Sequence, residues 1–351
     1  MRTHGKILHR APGLVGNRLK VISTVSRKQF GFFTRLLDAV PASQRYALAL
    51  EQIRAAETYG FKSAWVAQHH FHGDEGGLPS PFPFLSYVAA NTSRIRLGTG
   101  VVTLVMEDPV RVAEDAIVTD ILSQGRLEVG FGSGGTPASY LAFGKRFEDR
   151  HATFNRHLET VKSAWKGAEL PGGNHLWPQG TGLEKRSWQA TFSAFGGKKA
   201  GEDSDGLLLS RTQPRPAARP DASLSDLQLP IVEAYLEALP SGQAPRILAS
   251  RSVFVADDRE EARQLAGKGL LRQVKKFRAA GHTIDDTNID TLIRTFDVHL
   301  GTPADVLDSL SKDRTLDHAT EIAIQVHSVD PEHRFILRSL ELFATQVAPQ
   351  L

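Results

Sequence analysis

Residues 65–71 read Trp65-Val-Ala-Gln-His69-His70-Phe71, a short apolar run that ends in two adjacent imidazoles. In a parallel α/β barrel, catalytic groups stand where strands give way to loops. A strand that runs into histidines therefore bears on the fold and on the chemistry together. Imidazole titrates near neutrality and suits proton transfer or metal ligation. A lone His pair is more often structural than catalytic, so the rest of the chain has to decide.

Around this stretch, short apolar runs alternate with amphipathic helical stretches from Gln29 onward. Strands are predicted at Phe30–Thr34, Ala64–Ala67, Ile95–Leu104, Leu127–Phe131, Trp188–Phe192, Leu207–Leu209, Ile247–Val255 and Thr320–His327. Helices are predicted at Ser43–Tyr59, which Gly60 ends, at Phe84–Asn91, at Pro109–Leu122 and near Leu227–Leu239. Phe154, Leu158, Val161 and Trp165 recur at four, three and four residues, and Ile336, Leu340, Phe343 and Val347 stripe a closing helix. Gly167 to Lys185, rich in Gly and Pro, reads as an excursion between units. Eight strands, each followed by a helix, predict a (β/α)8 TIM barrel with an excursion after the fourth βα unit. A doubly wound sheet is the alternative.

Composition narrows the function. With no cysteine among 351 residues, disulfides, iron–sulfur clusters and thiolate chemistry are all excluded. No run of about 18 apolar residues predicts a membrane span. The formal charge of +3 hides an asymmetry: residues 1–29 carry seven Lys and Arg and no acid, which leaves −4 on the remainder. Residues 1–28 read as a basic, disordered extension ahead of one barrel domain at 29–351. A transit peptide, a nucleic-acid arm and a start codon placed too early are other readings of it. The body shows no basic patch, so no nucleic-acid or membrane partner is expected.

Two glycine-rich loops follow predicted strands. Gly130-Phe-Gly-Ser-Gly-Gly-Thr136 lets backbone approach a ligand closely but is not a dinucleotide fingerprint. Ser193-Ala-Phe-Gly-Gly-Lys-Lys opens a helix and forms a plausible phosphate cradle. Each alone is as readily a tight loop. Arg150 stands before a helix where a guanidinium suits a phosphate, or merely water. His69, His70 and His72 crowd too closely for an ordinary zinc site, and no metal is expected. The absence of a GxSxG elbow disfavours a hydrolase of that type.

Taken together, Tyr59-Gly-Phe-Lys-Ser-Ala-Trp-Val-Ala-Gln-His-His-Phe, Leu97-Gly-Thr-Gly, Asp108-Pro-Val-Arg-Val-Ala-Glu-Asp, Gln124-Gly-Arg-Leu-Glu-Val-Gly-Phe-Gly and Gly301-Thr-Pro-Ala-Asp resemble the bacterial luciferase-like flavin monooxygenases, in that family's order. The resemblance implies a TIM barrel that binds FMN. It implies His69 as the active-site histidine near the flavin edge, with His70 packing or supporting. Gly100 and Val101 match a dipeptide that often holds a non-prolyl cis bond beneath the ring. Gly132 and Ser133 fall where the fourth strand meets ring and phosphate. Arg150, 15 residues before Trp165, and Ser193, Gly196 and Gly197 match phosphate-binding positions.

This sequence departs from the family at Gln68, where many members have Glu, and at Ser133, where the luciferase catalytic subunit has Arg. Both departures, with the distinct Phe71–Pro83 loop, put a long-chain aldehyde substrate and light emission in doubt. The implied activity is oxygenation of a small organic substrate by dioxygen and reduced FMN delivered by a separate flavin reductase. A cytoplasmic homodimer is the accompanying expectation. Two rivals remain: a deazaflavin-dependent dehydrogenase or reductase on the same barrel, and a non-catalytic partner subunit of a heterodimer. The segments 71–83, 167–185 and 281–300 are expected to carry substrate contacts.

Overall fold

The computed structural model describes residues 28–180, 182–279, 284 and 288–351. Apart from Lys28, the basic extension lies outside the described residues, as does part of the 281–300 segment. Nine strands are described: β1 (Gln29–Thr34), β2 (Ser63–Val66), β3 (Arg96–Thr103), β4 (Leu127–Gly132), β5 (Ser187–Ala190), β6 (Gly206–Leu209), β7 (Ile247–Val255), β8 (Val298–Gly301) and β9 (Glu321–Gln325). The helices are α1 (Ala42–Thr58), α2 (Pro81–Ala89), α3 (Pro109–Leu122), α4 (Pro137–Ala142), α5 (Arg150–Trp165), α6 (Ala194–Glu202), α7 (Leu224–Ala238), α8 (Arg259–Ala279), α9 (Ile289–Thr295), α10 (Pro303–Ser311) and α11 (His333–Leu342).

Every pairing between these strands is parallel. β1 to β7 follow one another around the sheet, and β9 sits between β7 and β1 to close an eight-stranded barrel. This is the predicted (β/α)8 fold. Strand β8 is an addition that the sequence reading passed over. Among the described residues it pairs with the far end of β7, Ser252–Val255, and it overlaps the end of the 281–300 segment expected to carry substrate contacts. Helix α3 spans the predicted residues, and it starts where predicted because Pro109 occupies its first position and the Asp108 carboxylate accepts from the Val110 and Arg111 amides. The Gly167–Lys185 stretch does run between α5 and β5 without a full helix or strand of its own among its described residues.

The lumen is filled in layers. At its base Arg96 pairs with Glu128 at 2.9 Å and with Glu321 at 2.5 Å. Two indoles sit above and point their N–H groups down into this network, Trp65 to Ser63 Oγ at 2.8 Å and Trp188 to Glu128 at 2.6 Å. Their rings meet edge to face with centroids 5.5 Å apart. Space for each comes from the strand beside it. Gly98 is the register partner of Trp65 and Gly206 that of Trp188, and a Cβ at either glycine would fall 2.2 or 2.1 Å from the indole. Leu208, Leu248 and Ala323 complete this layer, with Phe33, Val101 and Ala190 packed on it and only partly covered. The indole layer therefore fills the middle of the lumen, with Phe33, Val101 and Ala190 toward the carboxyl ends of the strands.

Candidate active site

The mouth is assembled from loops that leave successive strands. His69 follows β2. Its amide donates to Leu78 O at 2.9 Å, so the 71–83 loop folds back against it. That return is tight: a Cβ on Gly76 would lie 2.6 Å from His69 Cγ. Nδ1 of His69 is 2.7 Å from the Gln68 carbonyl, which can only accept, so Nδ1 carries the proton in the neutral ring and Nε2 the lone pair. The loop read as a substrate contact is thus also what orients His69.

His70 points elsewhere. Its ring packs edge-on against Phe143 at 4.8 Å, and Phe71 packs on Phe143 at 5.6 Å. Burial pushes the His70 imidazole below its ordinary value, with Glu107 opposing. It is a neutral, packed ring, in keeping with the supporting part expected of it.

The departure at Gln68 has a physical reason that the sequence reading missed. The buried Gln68 amide uses both of its ends. Oε1 accepts from the Thr103 amide at 2.7 Å, while Nε2 donates to Glu107 Oε1 at 2.7 Å and to Pro79 O at 3.0 Å. The carboxylate absent at position 68 stands one contact away, at Glu107, and the amide ties the end of β2 to the end of β3. Glu107 immediately precedes the quoted Asp108-Pro segment, but nothing in its spacing marks it as a partner of residue 68. A Gln68→Glu substitution sets two carboxylates against each other and removes the bond to Pro79. Urea unfolding at pH 8 is expected to lose about 1–3 kcal/mol, with a smaller loss at pH 5 where the pair can share a proton. An unchanged midpoint at pH 8 would refute this reading.

The remaining candidates lie on β3 to α6. The Gly100–Val101 peptide is cis and non-prolyl. A Cβ on Gly132 would come 2.7 Å from Val101 Cγ2, so the ends of β3 and β4 approach closely and leave a low floor. Ser133 follows directly, and its carbonyl accepts from the Tyr140 hydroxyl. Burial raises the Tyr140 phenol and the positive charge of Arg150 opposes, which places Arg150 within electrostatic reach of this corner. The Arg150 guanidinium lies 4.1 Å over the Phe147 ring and donates to Phe147 O at 3.1 Å.

β5 is the next strand, pairing Gln189 with Phe131 of β4, so the Ser193 loop leaves the barrel beside the Ser133 loop. Ser193 caps α6 by accepting from the Gly196 amide at 3.2 Å. Gly196 and Gly197 also have packing reasons: added Cβ atoms would meet Thr191 Oγ1 at 2.0 Å and Ile231 O at 2.4 Å. The Ser133 and Ser193 loops thus leave neighbouring strands, with Arg150 in reach of Tyr140 beside the first, while His69 follows β2, on the other side of β3 and its Gly100–Val101 peptide. Among the described residues no group of His, Asp and Glu is arranged to hold a metal ion.

This arrangement suits a flat aromatic group with an anionic tail. Phe33, Val101 and Ala190 give a partly covered apolar layer, and the Ser133 loop and the Ser193-capped start of α6 leave the adjacent strands β4 and β5. The fold and mouth define a barrel of the kind that carries its chemistry at the carboxyl ends of its strands. Residues 29–315 match the luciferase-like monooxygenase family, and the chain belongs to that family of oxidoreductases.

Among its relatives is 4-hydroxyprotoasukamycin monooxygenase of Streptomyces nodosus subsp. asukaensis, 28% identical over an alignment that covers 93% of each chain. The crystal structure of the monooxygenase RslO1 from Streptomyces bottropensis superposes with a TM-score of 0.76 at 26% identity, covering 92% of this chain and 99% of that one. The oxygenating constituent of 3,6-diketocamphane monooxygenase from Pseudomonas putida, solved in complex with FMN, shares the fold with a TM-score of 0.73 at 18% identity, covering 93% of this chain and 99% of that one.

Proposed function

We propose that this protein is the oxygenating component of an FMN-dependent monooxygenase that inserts oxygen from dioxygen into a small organic substrate. The observation that carries the reading is that the Ser133 loop and the Ser193-capped start of α6 leave neighbouring strands beside a partly covered apolar layer, with Arg150 in reach of Tyr140 and His69 following β2 on the other side of β3. FMN bound there in its reduced form supplies the electrons that activate dioxygen. Arg150 and the Ser133 and Ser193 hydroxyls would hold the phosphate, with the amides at Gly196 and Gly197 beside them. Gly100, Val101 and Gly132 would lie under the ring.

His69 would hold a proton at Nε2 or take one there, close to the reacting oxygen, while the Nδ1 bond to Gln68 O fixes which nitrogen does so. Two similar proteins support the separation from a reductase and the choice of flavin. One is the oxygenating constituent of a monooxygenase with FMN bound, and another, of Acinetobacter baylyi, is the oxygenase component of a flavin-dependent monooxygenase. The domain assignment remains one barrel from residue 29, preceded by a basic extension, and a homodimer in the cytoplasm is part of the proposal.

Parallel titrations with FMN, reduced FMN and a reduced deazaflavin test the reading. Micromolar or tighter binding of FMN in either redox state, with none of the deazaflavin, is the expected result. The reverse preference would replace oxygenation with hydride transfer, and no binding of either would leave a non-catalytic subunit.

A further inference from the structure

The proposed flavin positions occupy the β2–β5 side of the mouth. The opposite side is formed by the ends of β6, β7, β9 and β1, and it has a different chemistry. Arg35 follows β1 immediately after Thr34. Its guanidinium donates from NH1 to Glu75 O at 3.3 Å, and its buried Nε has no partner among the described residues. Arg211 follows β6 and reaches across to Ser252 of β7, NH1 to Oγ at a long 3.3 Å. Ser252 is the register partner of Gln325 on β9 and continues the lumen-facing alternation of Leu248 and Ser250. Both guanidiniums therefore stand over the lumen at the carboxyl ends of their strands.

The two cations act on each other. Burial, with Arg35 adding to it, pulls the Arg211 guanidinium down to about 9, and Asp297 only partly opposes. Asp297 is already engaged, since Arg215 grips both its oxygens at 2.5 and 2.9 Å and Thr212 donates to it at 2.7 Å. Burial likewise lowers Arg35 against Asp330 and Glu75, and Asp330 is paired with Arg272 at 3.0 Å. Holding two half-buried like charges close together with so few acceptors costs stability, and an anion between them relieves it. The planar guanidinium fork fits a carboxylate in particular.

We infer that Arg35 and Arg211, with the Ser252 hydroxyl, form a subsite for the carboxylate of the substrate, so that the molecule oxygenated is a small organic acid. The inference rests on the monooxygenase reading above and gives that reading a substrate class. The carboxylate would bind on the β6–β1 side and present the rest of the molecule toward His69 and the flavin.

The test uses the whole protein, with and without saturating FMN, at constant ionic strength. Sodium acetate, hexanoate, benzoate and phenylacetate are each titrated against their primary amides by calorimetry. At least one acid is expected to bind tenfold or more tightly than its amide. Arg35→Gln and Arg211→Gln are each expected to erase that preference while leaving amide binding unchanged, and Arg211→Lys to retain part of it. Equal binding of every acid and its amide by the wild type overturns the inference, as does a preference that survives both glutamine variants. FMN affinity in the same samples separates the two claims. If FMN binds while no acid is preferred, only the subsite fails. If FMN does not bind at all, the flavin reading fails.

Discussion

Replacing His69 with Ala is expected to lower substrate oxygenation by about 10²–10⁴-fold, the range ascribed to a positioned general acid or base, while FMN affinity stays within a factor of about two. The split follows from geometry. His69 follows β2, whereas the positions proposed for the phosphate come from the end of β4, from α5 and from the start of α6, on the other side of β3. A structural histidine would show the opposite pattern, with weaker flavin binding, a lower melting temperature and unchanged chemistry per bound flavin.

Gly76→Ala supplies a second and gentler probe. Its methyl would arrive 2.6 Å from His69 Cγ and push the ring off its Gln68 carbonyl, so turnover should fall while His69 itself is still present. Oxygenated product measured per reduced FMN consumed distinguishes lost chemistry from leakage to hydrogen peroxide. Normal product yield in the His69→Ala protein would end the assignment.

The barrel was legible because its signals are local and repeat. Strand runs such as Leu127–Phe131, the Asp108–Pro109 helix start and the 154–158–161–165 stripe each depend on neighbours a few residues away. Strand β8 escaped for the opposite reason. Four residues, Val298-His-Leu-Gly301, carry too little pattern to mark a strand, and only the far end of β7 makes them one. The candidate site divided along the same line. Ser193 as the cap of α6 was readable from a hydroxyl before a glycine pair. The Gln68–Glu107 bond spans 39 residues and joins two loop ends, so no spacing announces it. Arg35 and Arg211 are 176 positions apart in the chain and gain their meaning only when closure of the barrel sets β1 and β6 around one mouth. Glycine proved ambiguous in sequence: Gly98 and Gly206 make room for indoles, and Gly197 for the backbone of α7.

The largest loss of stability is expected not at the mouth but behind β7. Arg251 is fully enclosed on the outer face of that strand, held by Asp313 at 2.5 Å, Gln228 Oε1 at 2.9 Å and Ser250 O at 2.7 Å. Asp313 further accepts from Ser225 Oγ at 2.8 Å and the Thr315 amide at 3.0 Å. Asp313→Ala leaves a guanidinium buried without its counter-charge, a change that costs about 3–5 kcal/mol in other buried pairs. Burial acts to raise the Asp313 carboxyl, but the charge and hydrogen bonds of Arg251, the Ser225 bond and His299 hold it below the ordinary carboxylate value. A depressed folded value means that the pair's stabilisation is complete above the unfolded carboxylate range and is lost as pH falls through the folded value.

His299 on β8 adds an earlier stage. Burial brings its imidazole from 6.5 down to about 4, against the pull of Asp313, so the unfolded chain gains a proton first and stability begins to fall below about pH 6.5. Urea unfolding of wild type and Asp313→Ala between pH 8 and pH 3 should show a gap that is widest at neutrality and narrows as the wild-type carboxylate is protonated. A gap that stays constant to pH 3 would mean that the lost free energy is packing around residue 313 rather than its charge.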